Sequence, residues 1–163
     1  WARLDPCRHL EINIEIAFDD AAIGNQTLTY RHSDGSFAAE LARARTFCQL
    51  RDVQLMKNAG LALGGSLDNA IVVDDGKILN DGGLRMEREF VRHKALDCLG
   101  DLLLLGLPVK AKMTAYRPGH ALSTKLAQVL LKDQSAFNIV EAGTTQIRSD
   151  SYALPEFAAA ATA

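Results

Sequence analysis

The chain has 163 residues, enough to bury a core without disulfide support. At 48% apolar and 23% charged it reads as one folded domain rather than a disordered chain, and a net charge of −2 leaves no electrostatic footing for nucleic acid. Apolar runs such as Leu102 to Leu105 fall far short of the roughly 18 residues that span a bilayer, so no transmembrane segment is expected. Cys7, Cys48 and Cys98 are odd in number and widely spaced, which predicts reduced thiols in a cytoplasmic compartment. The chain starts at Trp1 with no leader pattern, and is expected to be a piece of something longer.

Leu10, Ile12, Ile14, Ile16 and Phe18 alternate with Glu11, Asn13, Glu15 and Ala17, the period of a half-buried strand. A weaker strand is predicted from about Gln26 to His32, closed by the turn Asp34-Gly35. Ser36 then offers an N-cap for a helix reaching about Ala44. Arg51 to Asn58 reads as a short helix ending at Gly60. Gly64-Gly65 follows, then a buried strand from Asn69 to Asp74, and Asp75-Gly76 turns the chain into Ile78-Leu79. This piece reads as an insert on the main scaffold.

The strongest helix spans about Glu87 to Leu105, stopped by Gly106 and Pro108. Val109 to Tyr116 alternates as a strand, about His120 to Leu131 forms a last helix, and Phe137 to Val140 is predicted as an edge strand. Strands and helices do not strictly alternate. The pattern therefore predicts an α+β two-layer sandwich, a mostly antiparallel sheet with helices on one face, over residues 1–140, with 141–163 as a tail.

His93 and Asp97 stand four apart on the long helix, one turn above each other on one face. An imidazole nitrogen and a carboxylate oxygen so placed can share a metal ion, each about 2 Å from it; the same spacing also suits a plain ion pair. Asp101 lies roughly 12 Å along the axis from His93, too far to join it on one ion, and suits accepting a hydrogen bond from another titratable group. His120, at the start of the last helix, is a candidate for that group and equally an ordinary first-turn residue. Two carboxylates within an apolar-rich run need a cation or a partner, because burying them unpaired is costly. Lys94 reads as a solvated lysine, and Gly64-Gly65-Ser66 as a tight turn more readily than a phosphate cradle. A catalytic zinc takes three protein ligands and water. His9, His32 and the cysteines have no spacing that supplies the third.

Four stretches in order, RARTF (Arg43 to Phe47), GLALGGSLDNAIVVDD (Gly60 to Asp75), EFVRHKALDCLGDL (Glu89 to Leu102) and PGHAL (Pro118 to Leu122), resemble the UDP-3-O-acyl-N-acetylglucosamine deacetylases, zinc hydrolases of lipid A synthesis. The resemblance implies the second of two similar domains with the active site between them. It implies His93 and Asp97 as two Zn2+ ligands, the third ligand and the general base coming from an N-terminal domain this chain does not contain. It implies His120 as acid or electrostatic stabiliser held by Asp101, Lys94 stabilising negative charge, Thr46 contacting the oxyanion and Phe47 stacking in the cleft.

A βαβ-like insert, about residues 48–74, would form a passage for the substrate acyl chain, lined by Leu50, Val53, Ala62, Leu67, Ala70 and Val72. The implied partner is a UDP-linked acylated aminosugar, which loses acetate. By this reading the chain alone carries half the site and turns over little or no substrate. A second reading makes it a non-catalytic module that holds acyl chains or a UDP-sugar without metal. Cys48-Gln49 and Ser123-Thr124 depart from the family pattern, at the passage mouth and after His120 respectively.

Overall fold

The alternating isoleucines place one face of a strand entirely in the interior: Ile12, Ile14 and Ile16 are at most 1% exposed. The computed structural model describes residues 1–141. In chain order its elements are β1 (Ala2–Pro6), β2 (Glu11–Ala17), β3 (Asn25–Arg31), α1 (Ser36–Glu40), β4 (Thr46–Gln49), α2 (Leu50–Asn58), β5 (Ala70–Asp74), β6 (Lys77–Ile78), α3 (Glu89–Leu103), β7 (Ala111–Tyr116) and α4 (His120–Lys132). The main sheet runs β1-β7-β2-β3. Its β1–β7 and β2–β3 pairs are antiparallel and its β2–β7 pair parallel. Helix α3 crosses β2 and β3, and α4 packs against α3 and β1. The fold is the α+β two-layer arrangement the pattern predicts.

The layers meet in one core. From the sheet come Ile12, Ile14, Ile16, Leu28, Tyr30 and Met113; from α3 come Phe90, Val91, Ala95, Cys98, Leu99 and Leu102. The opposite sheet face carries Asn13, Glu15, Thr27, Thr29 and Thr114, none of them buried, as period-two alternation requires. Strands β4 and β5 pair in parallel across α2, which makes a βαβ unit, and β6 adds an antiparallel edge through the Asp75-Gly76 turn.

Three local readings need correction. Helix α1 stops at Glu40 instead of Ala44, because Leu41 and Ala42 both return to the Phe37 carbonyl and the chain turns there. Its N-cap is Gly35, in the left-handed region, while the Ser36 hydroxyl bonds back into the turn at Ser33 and to Tyr30. Phe137 to Val140 forms no strand. After the turn at Asp133 it finds no sheet partner, and Ile139 and Val140 stay exposed. Strand β1 has no counterpart in the sequence reading, and β4 has one only in the βαβ-like insert that the resemblance implies. The expected tail, apart from Glu141, lies outside the described residues.

Candidate metal and catalytic centre

Helix α3 carries the centre because its sequence has two registers. Phe90, Val91, Ala95, Cys98, Leu99 and Leu102 are buried against the sheet. The row His93, Asp97, Asp101 runs along the side that α4 borders. His93 Nε2 lies 3.3 Å from Asp97 Oδ1, and Lys94 Nζ lies 3.0 Å from Asp97 Oδ2. From the first turn of α4, His120 Nδ1 bonds Asp101 at 3.0 and 3.1 Å and turns its Nε2 to within 3.9 Å of Asp97 Oδ1. Asp97 is thus the hub, one oxygen facing two imidazoles and the other held by a cation.

Burial, outweighing the attraction of Asp97, pushes the His93 ring below its ordinary pKa, so it favours the neutral form that can ligate. Its Nδ1 is buried without a well-formed hydrogen bond; the Ala44 backbone lies near enough to favour the charged ring only weakly. His120 shifts the other way. The hydrogen bond and charge of Asp101 raise its pKa, with Asp97 adding to the effect. The centre therefore pairs a neutral histidine with one biased toward its cation.

The donor set can be tested against zinc. Two donors each about 2.05 Å from a tetrahedral ion sit about 3.3 Å apart, the separation of His93 Nε2 and Asp97 Oδ1. The pair fits one edge of such a site. Among the described residues no group of three or more His, Cys, Asp or Glu side chains is placed to hold a metal. Cys98 is buried, packs on Ser123, and has its thiol pushed up to about 12 by burial. His32 bonds Tyr30 and His9 faces Glu11. Neither is grouped with α3.

Phe47 is held edge-on between Phe18 and Phe90, with its ring centroid 6.1 Å from that of His93 and 5.7 Å from Lys94 Nζ. Thr46 beside it is exposed. The lysine read as solvated is in fact four-fifths covered and paired with Asp97. Of the six proposed lining positions, Leu50, Ala62 and Leu67 are exposed on the insert, Val53 is half-buried, and Ala70 and Val72 are buried in β5. The Gly64-Gly65-Ser66 loop is closed on itself, with the Ser66 amide taken by the Asn69 side chain. Ser123, one of the departures, is buried between α4 and α3.

Sequence reasoning missed the pair that mounts this centre. Arg45 and Glu89 form a buried ion pair at 2.9 Å that ties the start of β4, and so Thr46 and Phe47, to the first turn of α3, one turn before His93. Glu89 accepts four hydrogen bonds, from the Arg45 amide, its Nε and an Nη, and from the Arg85 amide. A glutamate directly before Phe90-Val91 in an apolar register was the available signal.

Residues 1–132 match the model of the UDP-3-O-acyl N-acetylglycosamine deacetylase (LpxC) family. The chain belongs to that family. It is 51% identical to the UDP-3-O-acyl-N-acetylglucosamine deacetylase of Myxococcus xanthus, over 86% of this chain and 45% of the relative. The deacetylases of Campylobacter fetus and Psychrobacter arcticus match at 47% and 49%, each over 86% of this chain and 48% and 44% of the relative. The chain thus spans about half the length of the curated relatives it matches. Among the described residues no helix is long and apolar enough to cross a membrane.

Proposed function

We propose that this chain is one wall of a deacetylase centre that hydrolyses the N-acetyl group of a UDP-linked, 3-O-acylated glucosamine in lipid A synthesis. The observation that carries the reading is the 3.3 Å His93–Asp97 pair with His120, pinned by Asp101, facing the same carboxylate oxygen. Family membership supports the substrate. The unpaired thiols suit a cytoplasmic location.

His93 and Asp97 would hold a zinc ion, which when bound supplies Lewis acidity toward the amide carbonyl and a more acidic water. Hydrolysis forms a C–O bond from water to the acetyl carbon and breaks the C–N bond, so acetate leaves and the sugar nitrogen needs a proton. His120 is the donor placed for it: Asp101 fixes the ring and favours its charged form, and its Nε2 is the free end. Lys94 places positive charge beside Asp97, and the exposed Thr46 hydroxyl is available to the developing oxyanion. Phe47 walls the site next to His93. The third zinc ligand and the base that takes the water proton would come from the complementary N-terminal domain.

The test is acetate release from UDP-3-O-acyl-N-acetylglucosamine by the chain alone and by the chain supplied with the complementary domain of the Myxococcus relative. The expected result is zinc-dependent turnover in the second case and almost none in the first. Robust zinc-dependent activity of the chain alone would overturn the shared-site reading, and no activity in either case would overturn the enzyme reading. Acyl-dependent binding without any zinc would instead favour a non-catalytic module.

A further inference from the structure

Asn80 is 7% exposed and lies outside the βαβ unit, just after β6, yet its side-chain amide is bonded entirely into that unit. Its Oδ1 accepts the Val72 amide at 3.0 Å, and its Nδ2 donates to the carbonyls of Ala70 at 2.8 Å and Leu67 at 2.6 Å. Two carbonyls on one side and an N–H on the other admit a single orientation of the amide. Leu67, Ala70 and Val72 are three of the positions assigned above to the acyl passage. One buried side chain therefore fixes the backbone at all three, across the step from the exposed 64–69 loop into β5.

Apart from Asn80, the surrounding loop is held mainly by its own short-range bonds. Leu61, Leu63 and Leu67 are exposed; the Gly65 amide donates to the Ala62 carbonyl, the Asn69 and Ala70 amides to the Ser66 carbonyl, the Asp68 amide to the Ser66 hydroxyl, and the Asn69 side chain bonds Ser66 and Gly64. From outside the unit, Arg85 reaches the Asp68 carbonyl, but as an exposed side chain. A solvent-facing arginine is a weak anchor, since water competes for both partners, whereas the buried amide of Asn80 has no such competitor.

We infer that Asn80 is a positioning residue that sets the shape of the acyl passage and so the enzyme's discrimination among acyl-chain lengths. Its side-chain hydrogen bonds go to Val72, Leu67 and Ala70 and to none of His93, Asp97 and His120. This inference rests on the deacetylase reading and deepens it.

The experiment compares wild type with Asn80→Ala and Asn80→Asp in the chain assembled with its complementary domain, using UDP-linked substrates with a short and a long saturated 3-O-acyl chain. For Asn80→Ala the long-to-short ratio of kcat/KM should fall about tenfold, as expected for losing a buried hydrogen-bond set. The loss should be carried in KM. A merely structural role would lower both substrates alike, and that result, or an unchanged ratio, overturns the inference.

Amide hydrogen exchange on the chain alone gives a second reading. Asn80→Ala should speed exchange at Val72 at least tenfold and loosen 64–70 while leaving α3 as it is. Asn80→Asp keeps the acceptor for Val72 but sets an oxygen against two carbonyls, so it should spare Val72 and loosen the loop. Unchanged exchange in both variants overturns the inference. Should the assembled protein deacetylate nothing, the deacetylase reading fails, and Asn80 is judged by the affinity of the chain alone for the same two compounds. A long-chain preference that Asn80→Ala abolishes supports it, and equal affinities overturn it.

Discussion

Replacing Glu89 by Gln changes few atoms and should destabilise the chain severely. Each carboxylate oxygen of Glu89 accepts two N–H donors: Oε1 takes the Arg45 amide and Nε, and Oε2 takes an Arg45 Nη and the Arg85 amide. In Gln one of these oxygens becomes NH2, which faces two donors whichever way the amide is turned. The Arg45 guanidinium, 7% exposed, also loses its counter-charge.

A buried pair broken on one side costs about 3–5 kcal/mol, a large share of the roughly 5–15 kcal/mol that holds a domain folded. The midpoint of thermal unfolding should drop by about 10 °C. Arg45→Met should cost a similar amount, and the double variant much less than the sum, since neither charge is then stranded.

The pH dependence follows from the sign of the shift. Burial by itself would raise the Glu89 pKa, but the Arg45 guanidinium and the two backbone amides outweigh it and hold it below the ordinary glutamate value. A carboxyl depressed on folding contributes stability above its unfolded pKa and loses it as pH falls through the folded value. Wild type should therefore lose stability on acidification more steeply than Glu89→Gln. Urea unfolding followed by circular dichroism, at neutral pH and in acid, measures both effects. A Glu89→Gln cost below about 1 kcal/mol at neutral pH would refute the reasoning.

The other predictions concern the centre and the core. Asp101→Asn removes the main cause of the raised His120 pKa, so the His120 titration followed by NMR in the metal-free chain should move to lower pH; no movement would mean Asp101 does not hold it. If His93 and Asp97 grip zinc, added zinc should raise the unfolding midpoint of the wild-type chain, by about 2.7 kcal/mol of stability at a hundredfold excess over Kd. That gain should vanish in His93→Ala and in Asp97→Ala, and its survival in either would remove that residue from the site. Native Cys98, buried with its thiol pushed up to about 12, should resist alkylation at mildly alkaline pH and react only on unfolding, as mass spectrometry of the modified peptides would reveal. Ile14→Ala, at the centre of β2 and 1% exposed, should cost about 2–5 kcal/mol in urea unfolding, and a cost under 1 would contradict the core assignment.

The sequence by itself determined whatever rests on periodicity and on spacing within one element. The isoleucine alternation of β2, the apolar register of α3 and the alternation of β7 are local, so strand, helix and the α+β layering were legible from them. The His93–Asp97 juxtaposition was legible for the same reason, since helix geometry alone brings residues four apart together. Strands β1 and β4 were not, because a polar five-residue edge and a four-residue segment become strands only through their partners β7 and β5.

Tertiary structure alone decided the rest. Arg45 and Glu89 are 44 residues apart, and nothing in either neighbourhood says that one neutralises the other. The same holds for Asn80 and the three insert backbone groups it binds. For His120 and Asp101, 19 residues apart on two helices, the sequence offered the pairing as one candidate, and packing of α4 on α3 made the contact. Such contacts depend on how layers stack, and stacking is set by the whole core rather than by any window of sequence. Length and charge bounded a domain at the outset; packing determined which of its charged residues face one another across α3 and α4.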